Sequence, residues 1–240
     1  MDRQQVFFHD WGLIGYEDAW KKQEQILQEN VNVKTAARLD TIQSDPYFVP
    51  TKHHLIFCEH PPVFTLGKSG DISNVLISDE EMQAKGIAFY RTNRGGDITF
   101  HGHGQVVGYP ILDLEKFGTD IGVYLRNVEE VVIRTLSSLG LESGRSKGET
   151  GVWLDAGIKG KERKICAIGV RCSRWMTMHG FALNVNTSLD YFNHIIPCGI
   201  ENKQVTSLKK ELGKELVMEE VKSLLKQHFE AVFGAVLNAS

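Results

Sequence analysis

Residues 195–203 read IIPCGIENK and set Cys198 between a proline and a glycine. It has no alternating apolar neighbours, and a Pro-Cys-Gly run favours a fixed, exposed turn. A thiol so placed is a candidate nucleophile. Cys58, Cys166 and Cys172 stand in apolar, strand-like runs instead. There a free cysteine behaves as a small hydrophobe. No two of the four form a C-x-x-C pair, so neither a structural zinc site nor a redox motif is expected. An ordinary thiol ionises near ~8.5, so a nucleophile at Cys198 needs a proton acceptor. By residue type the candidates are His101, His103, His179 and His194.

A second block, NRGGDITFHGHGQVVGYPILDL (93–114), is glycine-rich. Gly95 and Gly96 permit close backbone approach to a ligand. The block lacks the G-K-[ST] of a phosphate loop and does not open a helix. On a strand, Thr99 and His101 share one face, and Ile98 and Phe100 the other. A plain β-turn with incidental polar residues fits the same letters. His54, Cys58 and His60 also share a strand face, but no completing ligand pair accompanies them, so no metal is expected. KGKERK (159–164) reads as a basic hairpin tip.

Several elements must position these residues. QVFF (5–8) opens a strand, and a helix starts at Tyr16 and runs past Asn30. HHLIFCEH (53–60) and IAFYRT (87–92) are strand-like, and SDPYFVPTK (44–52) is loop. Ser78 and Glu81 form a capping box for a short helix that Gly86 ends. A helix over 120–139 carries Ile121, Leu125, Val128, Val132 and Leu136 on one face. GVWLD (151–155) and KICAIGVRC (164–172) form a hairpin, MHGFALNVN (178–186) a strand, SLDYFNHII a short helix, and 215–233 the last helix. The pattern predicts one α+β domain over residues 1–240, with a mixed, largely antiparallel sheet and helices packed on it. The chain is 42% hydrophobic and 24% charged, with a formal net charge of −3. That balance argues against a nucleic-acid binder. No run approaches the ~18 apolar residues of a membrane span. The start shows no secretion signal, so reduced thiols in a cytoplasmic setting are the expectation.

RGGDITFHGHGQVVGYPILDL resembles the signature of the octanoyltransferases of lipoate biosynthesis. YEDAW, EHPPVFTLGKSG, RKICAIGVR, HGFALNVN and IIPCGIE resemble the family's other blocks in the same order, across most of residues 12–206. Two departures stand out. Residues 31–53 look longer than the usual connection, and His103 stands where a proline is common. The resemblance implies the fold of biotin and lipoate protein ligase catalytic domains, with no cofactor and no ATP. It implies transfer of an octanoyl group from octanoyl-acyl carrier protein to a lysine of lipoyl domains. Those acceptors belong to 2-oxoacid dehydrogenase complexes and the glycine cleavage H protein.

The resemblance also implies Cys198 as nucleophile and Lys164 as its base. On an ideal strand Lys164 shares a face with Cys166, Ile168 and Val170, where lost hydration lowers an ammonium's hold on its proton. The implied acyl pocket comprises Arg94, Gly95, Gly96, Asp97, Ile98, Thr99, Phe100 and His101, with Ala167, Ile168, Gly169, Gly180, Phe181 and Ala182. Gly169, Gly180 and Ala182 are expected to leave room for a chain, with Phe100 and Phe181 as apolar wall. Three other readings share these residues. They are an ATP-dependent lipoate or biotin ligase, a cysteine thioesterase, and a non-catalytic acyl-carrier binder.

Overall fold

The computed structural model describes residues 3–39, 49–197 and 204–239. Cys198 and most of the 44–52 loop lie outside them. A large sheet is built from β1 (Gln4–Leu13), β2 (His53–Glu59), β6 (Gln105–Ile111), β8 (Arg163–Ser173), β9 (Met176–Asn184), β10 (Gln204–Val205) and β11 (Ala235–Ala239). Its order is β10-β8-β9-β6-β2-β1-β11, with β7 (Val152–Leu154) paired to β8. A second sheet, of order β4-β3-β5, joins β3 (Val63–Leu66), β4 (Ala88–Arg91) and β5 (Ile98–His101). The pairs β8–β9, β9–β6, β6–β2, β7–β8 and β3–β5 are antiparallel. The pairs β1–β2, β1–β11, β8–β10 and β3–β4 are parallel. The mixed, largely antiparallel α+β expectation holds, with the strands divided between two sheets.

The large sheet is covered on both faces, which is why its strands read as near-continuous apolar runs. Leu55 and Phe57 of β2, Val106 of β6 and Leu183 of β9 face α4 (Ile121–Ser138) and α6 (Met218–Phe233) in one core cluster. Ile56, Cys58, Val107, Tyr109, Ile111 and Ala182 face Ala19 and Leu27 of α1 (Tyr16–Leu39) in another. The period of two is kept in each strand, as pleating requires. The second sheet has its own core, where Phe64, Leu66, Ile98 and Phe100 meet Met82 of α2 (Asp79–Ala84), Tyr191 and Phe192. Ser78 caps α2 with both bonds of the capping box, and Gly86 follows at φ +65°.

Residues 31–39 extend α1 rather than forming a loop. Lys34, on this extension, is buried and meets Asp113 at 2.6 Å and Glu115 at 2.8 Å. Asp113 also accepts from Thr51 Oγ1 at 2.9 Å. This buried pair ties the end of α1 to the end of β6. Removing one partner strands the other charge in the interior, which typically costs ~3–5 kcal/mol. Lys34→Met is therefore expected to lower unfolding free energy by about 3 kcal/mol in urea titrations. A loss below about 1 kcal/mol would show that Asp113 is satisfied without it.

Candidate functional site

β8 and β9 place small residues directly opposite one another. Ala167 pairs with Ala182, and Gly169 with Gly180. On the α1 face this makes a trough, while the opposite face keeps Cys166 and Leu183 in the core. The glycine-rich loop roofs the trough. Gly95 N–H donates to the Val170 carbonyl at 2.8 Å. A Cβ on Gly169 would stand 2.8 Å from the Gly95 oxygen, so only glycine lets the loop lie this close. Between the trough, the start of α1 and β5 lies a cavity of about 370 Å³. That is within the ~300–1,000 Å³ range of small-molecule sites.

Of the residues expected at the pocket, Arg94, Gly96, Asp97, Ile98, Thr99, His101, Ala167, Ile168, Gly169, Gly180, Phe181 and Ala182 border this cavity, and so does Lys164. Gly95 and Phe100 do not border it. The Phe100 ring stacks on Tyr191 at 4.5 Å, inside the second sheet's core. Strand alternation explains this: Thr99 and His101 turn to the cavity, so Phe100 turns away. Phe181 borders the cavity, but its ring packs edge-on to Phe57 in the main core. The apolar lining on the trough comes from Val107, Ala167 and Ala182 instead. Asp97 is turned to the neighbouring 70–74 loop. It accepts from Asn74 Nδ2 at 2.6 Å, from Asp71 N at 3.2 Å and from Ile98 N at 2.7 Å. His103 is exposed and His194 is part-buried, and neither borders the cavity.

Lys164 is 8% exposed, and its ammonium lies 4.6 Å from the centre of the Trp153 ring. The ideal-strand alternation that grouped it with Cys166 fails here. Val152 pairs with Cys166 but Trp153 pairs with Lys164, which leaves Ile165 as an extra residue. Such a bulge re-aims the neighbouring side chain. Cys166 stays in the core, while Lys164 lines the cavity beside Ala167. The bulge is at Ile165, and pairing across Gly169 is regular.

The approach to Cys198 is defined on both sides. Ile196 N–H donates to the Asn74 carbonyl at 2.8 Å, and Ile195 bridges to Val75, which anchors the incoming chain beside the second sheet. On the outgoing side, Val205 pairs with Lys164 and Thr206 N–H donates to the Lys164 carbonyl at 2.9 Å. Pro197, which precedes Cys198, lines a small cleft together with Lys164, Thr99, Ala167 and Ala182. The last four also line the main cavity.

The cavity's deep wall is polar, through Tyr16, Arg94, His101, Tyr109 and His179. Sequence reasoning missed Tyr16 and Tyr109, and Glu149 and Thr150 near Lys164, since nothing local marks them. The hydrogens of this wall are committed elsewhere. Gln105 donates through Nε2 to Asn184 Oδ1 at 2.8 Å, so its Oε1 accepts from His101 Nδ1 at 2.9 Å. Asn93 donates to Glu24, so its Oδ1 accepts from His179 Nε2 at 2.7 Å. His60 donates through Nδ1 to the Ile14 carbonyl, so its Nε2 accepts from Tyr109 Oη at 2.7 Å. Arg94 donates to the Thr65, Gly95 and Asp97 carbonyls. Each histidine is thus a neutral imidazole, as burial demands. Desolvation lowers His60 to about 4 and His179 to about 3. It holds His101 well below its ordinary value, with His60 and Arg94 adding repulsion.

Residues 16–230 match the family described as the Lipoyl protein ligase A/B catalytic domain, and the chain belongs to that family. Among its relatives, a protein named octanoyltransferase from Christiangramia forsetii is 55% identical over 235 residues, covering 98% of each chain. Another octanoyltransferase, from Flavobacterium johnsoniae, is 55% identical over 233 residues, covering 97% of this chain and 98% of that one. In fold, the chain is similar to a bipartite lipoate protein ligase from Thermoplasma acidophilum, with a TM-score of 0.67 at 18% identity. That match covers 100% of this chain and 87% of the other. It is equally similar to lipoate-protein ligase A bound with ATP, with a TM-score of 0.67 at 16% identity, covering 100% and 89%.

The three neutral histidines contribute to the protein's response to acid. Above pH ~6.5 they are neutral in both the folded and the unfolded chain, so they carry no pH dependence there. As pH falls from 6.5 toward 3–4, only the unfolded chain binds these protons. Stability is then lost by ~1.4 kcal/mol per group per pH unit. His53 and His54, which burial also lowers to about 4, act in the same direction. Urea midpoints are expected to fall steeply from pH 6 to 4.5, with up to five extra protons bound by these histidines on unfolding. A flat profile over that interval would contradict the assigned proton positions.

Proposed function

We propose that the protein transfers an octanoyl group from octanoyl-acyl carrier protein to a lysine of lipoyl domains, through an octanoyl thioester on Cys198. The reading is carried by one observation: Lys164 is buried at a cleft it shares with Pro197, and that cleft adjoins the small-residue trough. The names and identities of the relatives support the acyl group and reaction class.

Cys198 Sγ attacks the donor carbonyl as Lys164 takes the thiol proton, and the carrier's C–S bond breaks. The proton then passes to the carrier thiolate. The exchange turns one thioester into another and is near neutral in energy, so no ATP is consumed. The acceptor amine next attacks the acyl-cysteine, and the Cys198 C–S bond breaks as the amide forms. Lys164 serves again as the proton acceptor. A histidine base is disfavoured because His101 and His179 have their N–H groups tied to Gln105 and Asn93 and are strongly depressed by burial.

For the donor, Lys159 and Lys161 offer exposed positive charge near Lys164. Arg163, in the same basic run, is paired with Asp155 at 2.6 Å and Glu211 at 2.9 Å, so it braces β8. Among the described residues no helix is long and apolar enough to cross a membrane. A reducing compartment such as the cytoplasm would keep Cys198 a free thiol.

Intact mass spectrometry after mixing with octanoyl-carrier should show one added octanoyl group that hydroxylamine removes. Cys198→Ala should abolish it. Lys164→Arg should block transfer to the amine, because arginine does not deprotonate in proteins. Pyrophosphate release with ATP and lipoate would favour a ligase. Free octanoate accumulating beside a lipoyl domain would favour a thioesterase. Wild-type transfer in Lys164→Arg would remove Lys164 as base.

The cavity also sets a chain-length dependence. Each buried methylene is worth ~0.8 kcal/mol, so shortening the chain by two carbons should cost ~1.6 kcal/mol, or roughly 15-fold in kcat/KM. Dodecanoyl donors should suffer from overfilling instead. Equal rates for hexanoyl, octanoyl and dodecanoyl thioesters would show that the trough does not measure the chain.

A further inference from the structure

Glu129 lies on the core face of α4 beside Val128 and Val132, with its side chain 0% exposed. Both of its oxygens are used. Oε1 accepts from Gly151 N–H at 3.0 Å, and Oε2 meets Arg126 Nη1 at 2.6 Å and Arg145 Nε at 2.9 Å. Arg145 and Gly151 are the two ends of one loop. Its root is closed by the Gly144–Trp153 bridge, with backbone hydrogen bonds of 2.8 and 2.9 Å. From this loop Glu149 and Thr150 line the cavity with Lys164.

The loop also grips Lys164 itself. Gly151 sits at φ +127°, and a Cβ there would be 2.7 Å from the Cys166 oxygen and 3.4 Å from Lys164 Cε. With the indole of Trp153 under the ammonium, the lysine stem runs between loop backbone and aromatic ring. A buried carboxylate is a poor device for stability alone, since an apolar side chain of similar volume usually serves as well or better. It does fix geometry, because two guanidinium groups and one amide converge on it.

We propose that Glu129 is a positioning residue for acyl transfer: it clasps the 145–151 loop at both ends and thereby sets Lys164 against the cavity. The proposal rests on Lys164 being the proton acceptor. It assigns no contact with substrate to Glu129.

The test is single-turnover amide formation from enzyme already acylated with octanoyl, followed as a rate constant per acylated molecule. Glu129→Ala should lower this constant ten-fold or more, with KM for the octanoyl thioester within two-fold of wild type. Glu129→Gln keeps an acceptor for Gly151 but loses the charge facing two arginines, and should fall between. Arg145→Ala releases the other end of the loop and should lower the same constant. A merely structural role would shrink the acylated fraction and leave the rate constant of the remainder unchanged, and that result overturns the proposal. Should Glu129→Ala not fold, Arg145→Ala at a part-exposed position decides alone, and a wild-type constant there overturns it. Lys164→Arg is run alongside. If it transfers at the wild-type rate, the base assignment fails and the proposal falls with it. If it is blocked while Glu129→Ala and Arg145→Ala are normal, the positioning role alone is refuted.

Discussion

The hydrogen bond from Gly95 N–H to the Val170 carbonyl is the seam on which the site depends. It joins the glycine-rich loop, which leads into the second sheet, to β8 of the large one. Lys164 stands on β8, and Ile195 and Ile196, which precede Cys198 in the chain, are bound beside the second sheet through Val75 and Asn74. Under the proposed function, Lys164 and Cys198 meet only if the two sheets keep a fixed relation. Arg94 reinforces that relation by bonding Thr65 of β3 together with Gly95 and Asp97 of the loop. Covalent catalysis tolerates little error in this distance, since misplacement by ~1 Å can cost ~100-fold.

The cavity contains more buried polar atoms than an aliphatic chain needs. Their arrangement resolves the conflict. An unpaired polar group in a dry site costs several kcal/mol, and a partly satisfied network is worse than none. Here the N–H or O–H groups of His101, His179 and Tyr109 are directed to Gln105, Asn93 and His60, away from the cavity. The imidazoles stay neutral, so the chain meets rings without charge. Among the described residues Lys164 lines both the cavity and the cleft that Pro197 borders, and under the proposed function the exclusion of these histidines directs proton transfer to it.

The sequence was legible where one physical rule governs. The run HHLIFCEH announced β2, and the Ser78–Glu81 box announced α2. Within the glycine-rich block, six of the eight residues from Arg94 to His101 border the cavity. What escaped depends on long-range pairing. β3 hides behind Pro61 and Pro62 as four residues, and β11 gains its identity only by parallel pairing to β1, at the other end of the chain. A bulge carries no dependable local mark, so the shift at Ile165 could not be read from alternation. The same limit applies to Phe100 and Phe181. Their type suggested an acyl wall, but facing direction is set by the partner strand, and both rings turn to other cores. Asp97 looked like a ligand contact because it sits in the motif, yet its carboxylate organises the 70–74 loop.

A trough lined by Ala167, Ala182, Gly169 and Gly180 would be a packing defect in a domain with no ligand. Filling the sheet face with larger side chains would bury more apolar area, at ~25 cal/mol per Å². The fold forgoes that stability and keeps the cavity, while the opposite face of the same strands is fully packed with Cys166, Leu183 and Phe181. One strand pair thus serves two ends: its inner face anchors the domain, and its outer face is left for a guest. Under the proposed function, an entering acyl chain would supply the apolar contacts that the small residues withhold. Binding would then repair the core locally, and the free energy so gained would hold the proposed thioester at the cleft by Lys164. On that reading, a hydrocarbon tail that takes no part in the chemistry would control whether the reacting carbonyl is in place.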